Sequence, residues 1–122
     1  MARPMIEKKE VSIDVGSEFT PFPAGRHRED GRYSGQAFRE NVLLGSLSDG
    51  LIVTVYLDSA VGYGSSFLEE AFGGLIRSHE LTFHQLKKQL NLKSTDKYLI
   101  EEIWGYIEDA AQTELELTSV GG

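Results

Sequence analysis

The chain contains no cysteine. That excludes a disulfide framework and a thiolate metal site. Proline is scarce, with three residues, and there is one tryptophan. No apolar run approaches the about eighteen residues that a membrane-spanning helix needs. The N-terminal stretch MARPMIEKKE has no apolar core of the kind that a secretory leader carries. Basic charge is the minority sign, with 12 Lys and Arg against 19 Asp and Glu, a net charge of −7. An acidic balance argues against general affinity for nucleic acid. A soluble cytoplasmic protein with no membrane segment is the expectation.

What is present fits one domain. The chain has 122 residues, 40% hydrophobic and 25% charged, enough to bury a core without staples. The acidity is uneven. From Asp96 onward there are seven acids and one base (Lys97), so the rest of the chain is near neutral. Arg26, His27, Arg28 and Arg32 form a local basic cluster, diluted by Glu29 and Asp30.

Along the chain, Val11 to Val15 alternates apolar and polar, which predicts a strand with one buried face. Residues 19–33 hold Pro21, Pro23, Gly25 and Gly31 and keep no period. A loop of that length in a small domain often carries function. Ser34 is placed as an N-cap. After it Ala37, Phe38, Val42, Leu43 or Leu44, and Leu47 predict an amphipathic helix, ended by Asp49-Gly50. Leu51 to Leu57 is β-branched and almost wholly apolar, which predicts a central strand covered on both faces. Phe67, Leu68, Ala71, Phe72, Leu75 and Ile76 predict a helix with a wide apolar stripe, with Glu69 and Glu70 pointing away from it. Thr82 and Gln85 form a capping box, with Leu81 and Leu86 as its staple, for a short helix to about Leu90. Ser94-Thr95-Asp96 offers the cap of a last helix through Leu99, Ile103 and Ile107, with Trp104 and Tyr106 as core and rim packing. The predicted division is a flexible N-terminus over 1–10, one domain over 11–112 and a flexible acidic tail over 113–122. A helix between two strands predicts a βαβ unit and parallel pairing.

The stretch Gly62-Tyr63-Gly64-Ser65-Ser66 joins the central strand to the apolar helix. It lacks the Lys-Ser/Thr of a phosphate-binding loop. Phe67 stands where the dinucleotide fingerprint needs its third glycine, and the serine of a nucleophile elbow is not framed. No histidine sits in a context that suggests a base. Two readings remain. Ser65 or Ser66 caps the helix while the glycines supply positive φ. Alternatively the helix N-terminus seats an anion or a phosphorylated serine. The arginine loop divides in the same way. Arg26, Arg28, Arg32 and Arg39 either form an anion or acidic-partner site, or are solvated and paired with Glu29, Asp30 and Glu40. His27, His79 and His84 do not share metal-ligand spacing, and no metal or cofactor is expected.

The stretches GRHREDGRYSGQAFRE and VTVYLDSAVGYGSSFLEEAFGGLIR resemble the STAS-like domains of unknown function found in bacteria and phages, relatives of the fold named for sulfate transporters and anti-sigma-factor antagonists. The resemblance runs from about Val11 to Arg77, and the arginine loop belongs to the STAS-like group rather than to simple antagonists. It implies an α/β fold: a small STAS-like mixed sheet with helices packed mainly on one face. It also places Ser65 at the position where antagonists accept a phosphate from an ATPase of the histidine-kinase superfamily. Gly64 stands where they carry aspartate. The expected function is therefore a non-enzymatic regulatory module that docks a protein partner through Tyr63, Gly64, Ser65, Ser66, Glu69 and Glu70, with Ser65 as candidate phosphoacceptor. The alternative is a nucleotide or phosphate binder built from Arg26, Arg28, Arg32 and Arg39 and the Ser65 helix N-terminus. Nothing in the sequence fixes an oligomeric state.

Overall fold

A computed structural model describes residues 9–120. Strand β1 (Glu10–Asp14) runs into a one-turn helix α1 (Val15–Glu18). The loop that follows contains a short 3-10 turn, Arg28–Asp30. Helix α2 covers residues 35–48, β2 is Ile52–Tyr56, and helix α3 covers residues 65–77. Helix α4 (Phe83–Gln89) leads directly into β3 (Leu90–Lys93), and α5 (Lys97–Val120) closes the order.

The three strands form one sheet in the order β1-β2-β3, parallel throughout. This is the α/β architecture that the βαβ pattern predicts. Where a mixed sheet was expected, no antiparallel strand occurs among the described residues. Ile13, Val53, Val55, Leu90 and Leu92 turn one face of the sheet to the core. Helices α2 and α3 complete that core with Phe38, Phe67 and Phe72, each 1% exposed. A phenylalanine buried to that degree contributes about 2 kcal/mol of transfer free energy. Helix α5 packs along α3 and buries Ile103 and Ile107. Trp104 meets Phe83 edge-on at 6.2 Å, with the Lys87 ammonium 4.7 Å from the Trp104 ring centre. That is the rim packing expected of Trp104.

Three of the capping signals read from sequence hold, those at Ser34, Thr82 and Asp96. The Ser34 hydroxyl accepts from the Ala37 amide at 3.1 Å. Thr82 and Gln85 bond reciprocally at 3.1 and 2.8 Å. Asp96 accepts from the Tyr98 and Leu99 amides and starts α5. Gly50, at φ 84°, ends α2 in the left-handed conformation that suits a helix stop.

Four expectations change. The short helix stops at Gln89, and Leu90-Asn91-Leu92-Lys93 is a strand whose alternate residues are buried and exposed. Strand β2 is covered on one face only, because Thr54 is half-buried and Tyr56 is 45% exposed. Residues 113–120, expected as part of a loose tail, continue α5. Helices α2 and α3 are also not regular. Each carries a π turn at its middle, Arg39–Leu43 in α2 and Glu69–Gly73 in α3. A π turn inserts one residue into the helical ladder, and such turns gather at functional sites. It explains the uncertain period of α2. The buried positions step from Phe38 to Leu43, five residues, and then from Leu43 to Leu47, four.

Candidate functional site

Strand β2 ends at Tyr56, and the chain crosses the carboxyl end of the sheet before entering α3 at Ser65. The N-cap of α3 is Gly64, at φ −76° and ψ 149°, and it makes no side-chain capping bond. Ser65 and Ser66 occupy the first helical turn, exposed, without a hydrogen bond to their hydroxyls among the described residues. The capping role expected of them is therefore not what they do. Nor does the turn use the positive φ expected of its glycines, since Gly62 and Gly64 are absent from the left-handed set. A Cβ at either would meet nothing within 4 Å. Tyr63 is the residue that anchors the turn. Its hydroxyl donates to the Leu57 carbonyl at 2.7 Å and its ring lies 6.0 Å from Phe67. Burial pushes the Tyr63 hydroxyl's pKa up, and the charges of Asp58 and Asp14 add to the rise.

The arginine loop folds over α3 one turn beyond Ser65. Gly35 and Gln36 amides donate to the Gly25 and Arg26 carbonyls at 2.9 and 3.0 Å, which ties the loop to the start of α2. Asp30 gathers the loop by accepting from the His27 and Arg26 amides, and these bonds hold its carboxyl below its ordinary pKa. Arg26 then reaches Glu69 at 2.6 Å and Glu70 at 3.3 Å. Arg39, from the π turn of α2, meets Glu70 in the π turn of α3 at 2.8 Å and also donates to the Glu70 carbonyl at 2.5 Å. Arg77 grips Glu69 through both terminal nitrogens at 2.6 and 3.0 Å. His27 lies 3.6 Å from Glu70. Burial acts to raise the Glu69 pKa, but the Arg77 and Arg26 hydrogen bonds and charges outweigh it, so its carboxyl stays below the ordinary range.

This network shows what the acids of α3 do. Glu70 is buried, and Glu69 and Glu70, off the apolar stripe, face the arginine loop and α2. As named partner-docking residues they are already engaged inside the chain. Of the arginines named as an anion site, Arg26 and Arg39 are paired with these acids. Arg28 holds Glu40 at 3.0 Å and Asn41 at 2.9 Å. Arg32 has no carboxylate partner among the described residues and lies 5.8 Å from the Tyr33 ring centre. The solvated-loop reading had the right chemistry, but only Glu40 among the partners it proposed. Sequence reasoning had no signal for Arg77, which sits eleven residues past the turn.

Two glycines permit the close approach of α2 and α3. A Cβ on Gly35 would strike the Phe67 carbonyl, and one on Gly74 would strike the Arg39 guanidinium. Among the described residues no group of three or more acidic, histidine or cysteine side chains could hold a metal ion. No helix there is long and apolar enough to cross a membrane.

No curated protein and no solved structure matches the chain significantly. A family model does match, over residues 34–99, more than half of the chain. The match starts at the Ser34 cap and includes Arg39, the 62–66 turn, Glu69, Glu70 and β3, while Arg26, Arg28 and Arg32 lie before it. With its small parallel sheet, its helices on one face and that match, the chain belongs to the family of STAS-like domains of unknown function.

Proposed function

We propose that this STAS-like domain is a non-enzymatic regulatory module that docks a protein partner through the 62–66 turn and the first turn of α3. One observation carries the reading. Apart from Tyr63, the turn's residues answer to no need of the fold. Ser65 and Ser66 are exposed and make no internal bond, and Gly62 and Gly64 have ordinary backbone angles and open space around them. A surface free of packing duty, held rigidly by Tyr63 and by the ion-pair network one turn away, is suited to recognition. The partner class follows from the resemblance: an ATPase of the histidine-kinase type, with Ser65 as phosphoacceptor in a cytoplasmic setting. Ser65 has no histidine or carboxylate bonded to its hydroxyl among the described residues, so a phosphate would have to come from the partner's chemistry. The nucleotide-binding alternative draws less support, because Arg26, Arg28 and Arg39 already hold carboxylates.

The test is affinity capture from the native host with the wild-type chain and with Ser65→Asp and Ser66→Arg variants. Enrichment of an ATPase of that superfamily by the wild type, lost with Ser66→Arg, supports the reading. Absence of any such ATPase, or its undiminished capture by both variants, overturns it.

A further inference from the structure

A second feature lies at the carboxyl end of the sheet, apart from the Ser65 surface. Asp14, Tyr56 and Lys93 are partners in register across β1, β2 and β3. Each follows a buried residue of its strand, so all three stand on the uncovered face. With Asp58, Ser59, Ser94 and Thr95 they line a cavity of about 410 Å³. Ligands of parallel α/β sheets bind just outside the carboxyl ends of the strands.

The cavity is held open by bonds among its own walls. Asp58 accepts from the Ser94 hydroxyl at 2.6 Å and from the Thr95 amide and hydroxyl at 2.8 and 3.1 Å. Those bonds join the loops after β2 and β3. The Ser59 hydroxyl accepts from the Gly16 amide at 2.7 Å and joins the loop after β2 to the end of β1. Ser17 donates to one oxygen of Asp14 at 2.6 Å, and the Ser59 hydroxyl also bonds to that carboxylate, both of which favour its charged form. A site whose walls are already ordered loses little entropy on binding.

Against those satisfied groups, two polar ends have no partner among the described residues. They are the Lys93 ammonium and the Tyr56 hydroxyl, and Tyr56, 45% exposed as a residue, stands between Lys93 and Asp14. Adjacent strands lie about 4.8 Å apart, so the bases of Asp14 and Lys93 are about 10 Å apart with the ring between them. The charges choose the ligand. A phosphate dianion would meet Asp14 and Asp58. A polyamine would meet Lys93. A molecule with one charge of each sign satisfies both ends.

We propose that this cavity binds a small zwitterion of the amino-acid class, its carboxylate on Lys93, its ammonium on Asp14 and its apolar part against the Tyr56 ring. The site is independent of the docking reading, since none of these residues belongs to the 62–66 turn. The test is a two-dimensional amide NMR titration of the full chain with the protein amino acids, alongside an amine and a carboxylic acid of matched size. At least one amino acid is expected to shift the Tyr56, Lys93 and Ser94 amides saturably in the millimolar range. Lys93→Met, at an exposed and unpartnered position, is expected to weaken that binding about tenfold, the value of one charged hydrogen bond. Unchanged amide dispersion elsewhere shows that the variant is folded. The proposal is overturned if no amino acid gives a saturable shift, if the singly charged analogues bind as well, or if Lys93→Met binds unchanged.

Discussion

Arg39 shows how much one residue can decide. Its side chain and that of Glu70 are each 11% exposed, and they meet at 2.8 Å between two π turns. Removing one partner of a buried pair leaves the other charge poorly compensated, at a cost of about 3 kcal/mol. Arg39→Ala should therefore lower the urea-derived unfolding free energy by about that much. Arg28→Ala, which breaks an exposed pair with Glu40, should cost less than about 1 kcal/mol. Equal losses for the two would mean that the Arg39 pair has no special weight. Gly64 offers the opposite test. Aspartate is a better N-cap than glycine by a few tenths of a kcal/mol, and nothing crowds a Cβ there. Gly64→Asp should leave the chain as stable as the wild type or about 0.3 kcal/mol more so. A large loss in chemical denaturation would show that the turn is under packing constraint after all.

Among the elements, α3 is the helix on which the fold and the candidate surface both depend. Phe67 to Ile76 is buried nearly without a break, apart from Glu69. A helix buried on so many sides must be enclosed by its neighbours, and α3 packs against α2 and α5 and shares its core with the sheet. Its contact with α2 has no room for a side chain at Gly35. Gly35→Ala should force the helices apart and cost about 2 kcal/mol, whereas Gly62→Ala should stay within about 0.5 kcal/mol. Matched thermal melts of the two variants check this. Comparable losses would contradict the close approach at Gly35. The apolar stripe of α3 was legible in the sequence because its periodicity is dense. The π turns were not, since a single inserted residue changes the step between buried positions without leaving a residue-type signature. Strand β3 was missed because four residues are too few to outweigh the helix signal before them, although Leu-Asn-Leu-Lys does alternate.

At the scale of the whole molecule, acid should be the condition that loosens it. Asp58 is held below its ordinary value of 3.8, chiefly by the Ser94 hydroxyl, and Asp14 likewise by Ser17. Glu69 lies below its ordinary 4.5 because the arginine bonds outweigh its burial. A carboxylate whose pKa is depressed by folding adds stability above its unfolded value, and that stability is lost as the pH falls through the folded value. Thermal stability is therefore expected to be nearly flat from neutrality down to about pH 5 and to fall progressively below about pH 4. Glu69→Gln should flatten part of that decline. A melting temperature that rises on acidification would refute this account. Asp58 ties β2 to β3 and Glu69 ties the arginine loop to α3, so both losses open contacts between elements rather than within them.

The sequence by itself determined the fold class, most helix starts and the parallel βαβ core, because periodicity and capping are local properties of the chain. It also placed the 62–66 turn at the strand-to-helix junction and carried the family resemblance. Only the tertiary structure decided which acid each arginine meets, since Arg26 and Glu69 are 43 residues apart in the chain. It also decided that the serines are exposed beyond a glycine cap, and that Asp14, Tyr56 and Lys93 share one row. Those are facts of register and packing, and they exist only once distant segments lie side by side.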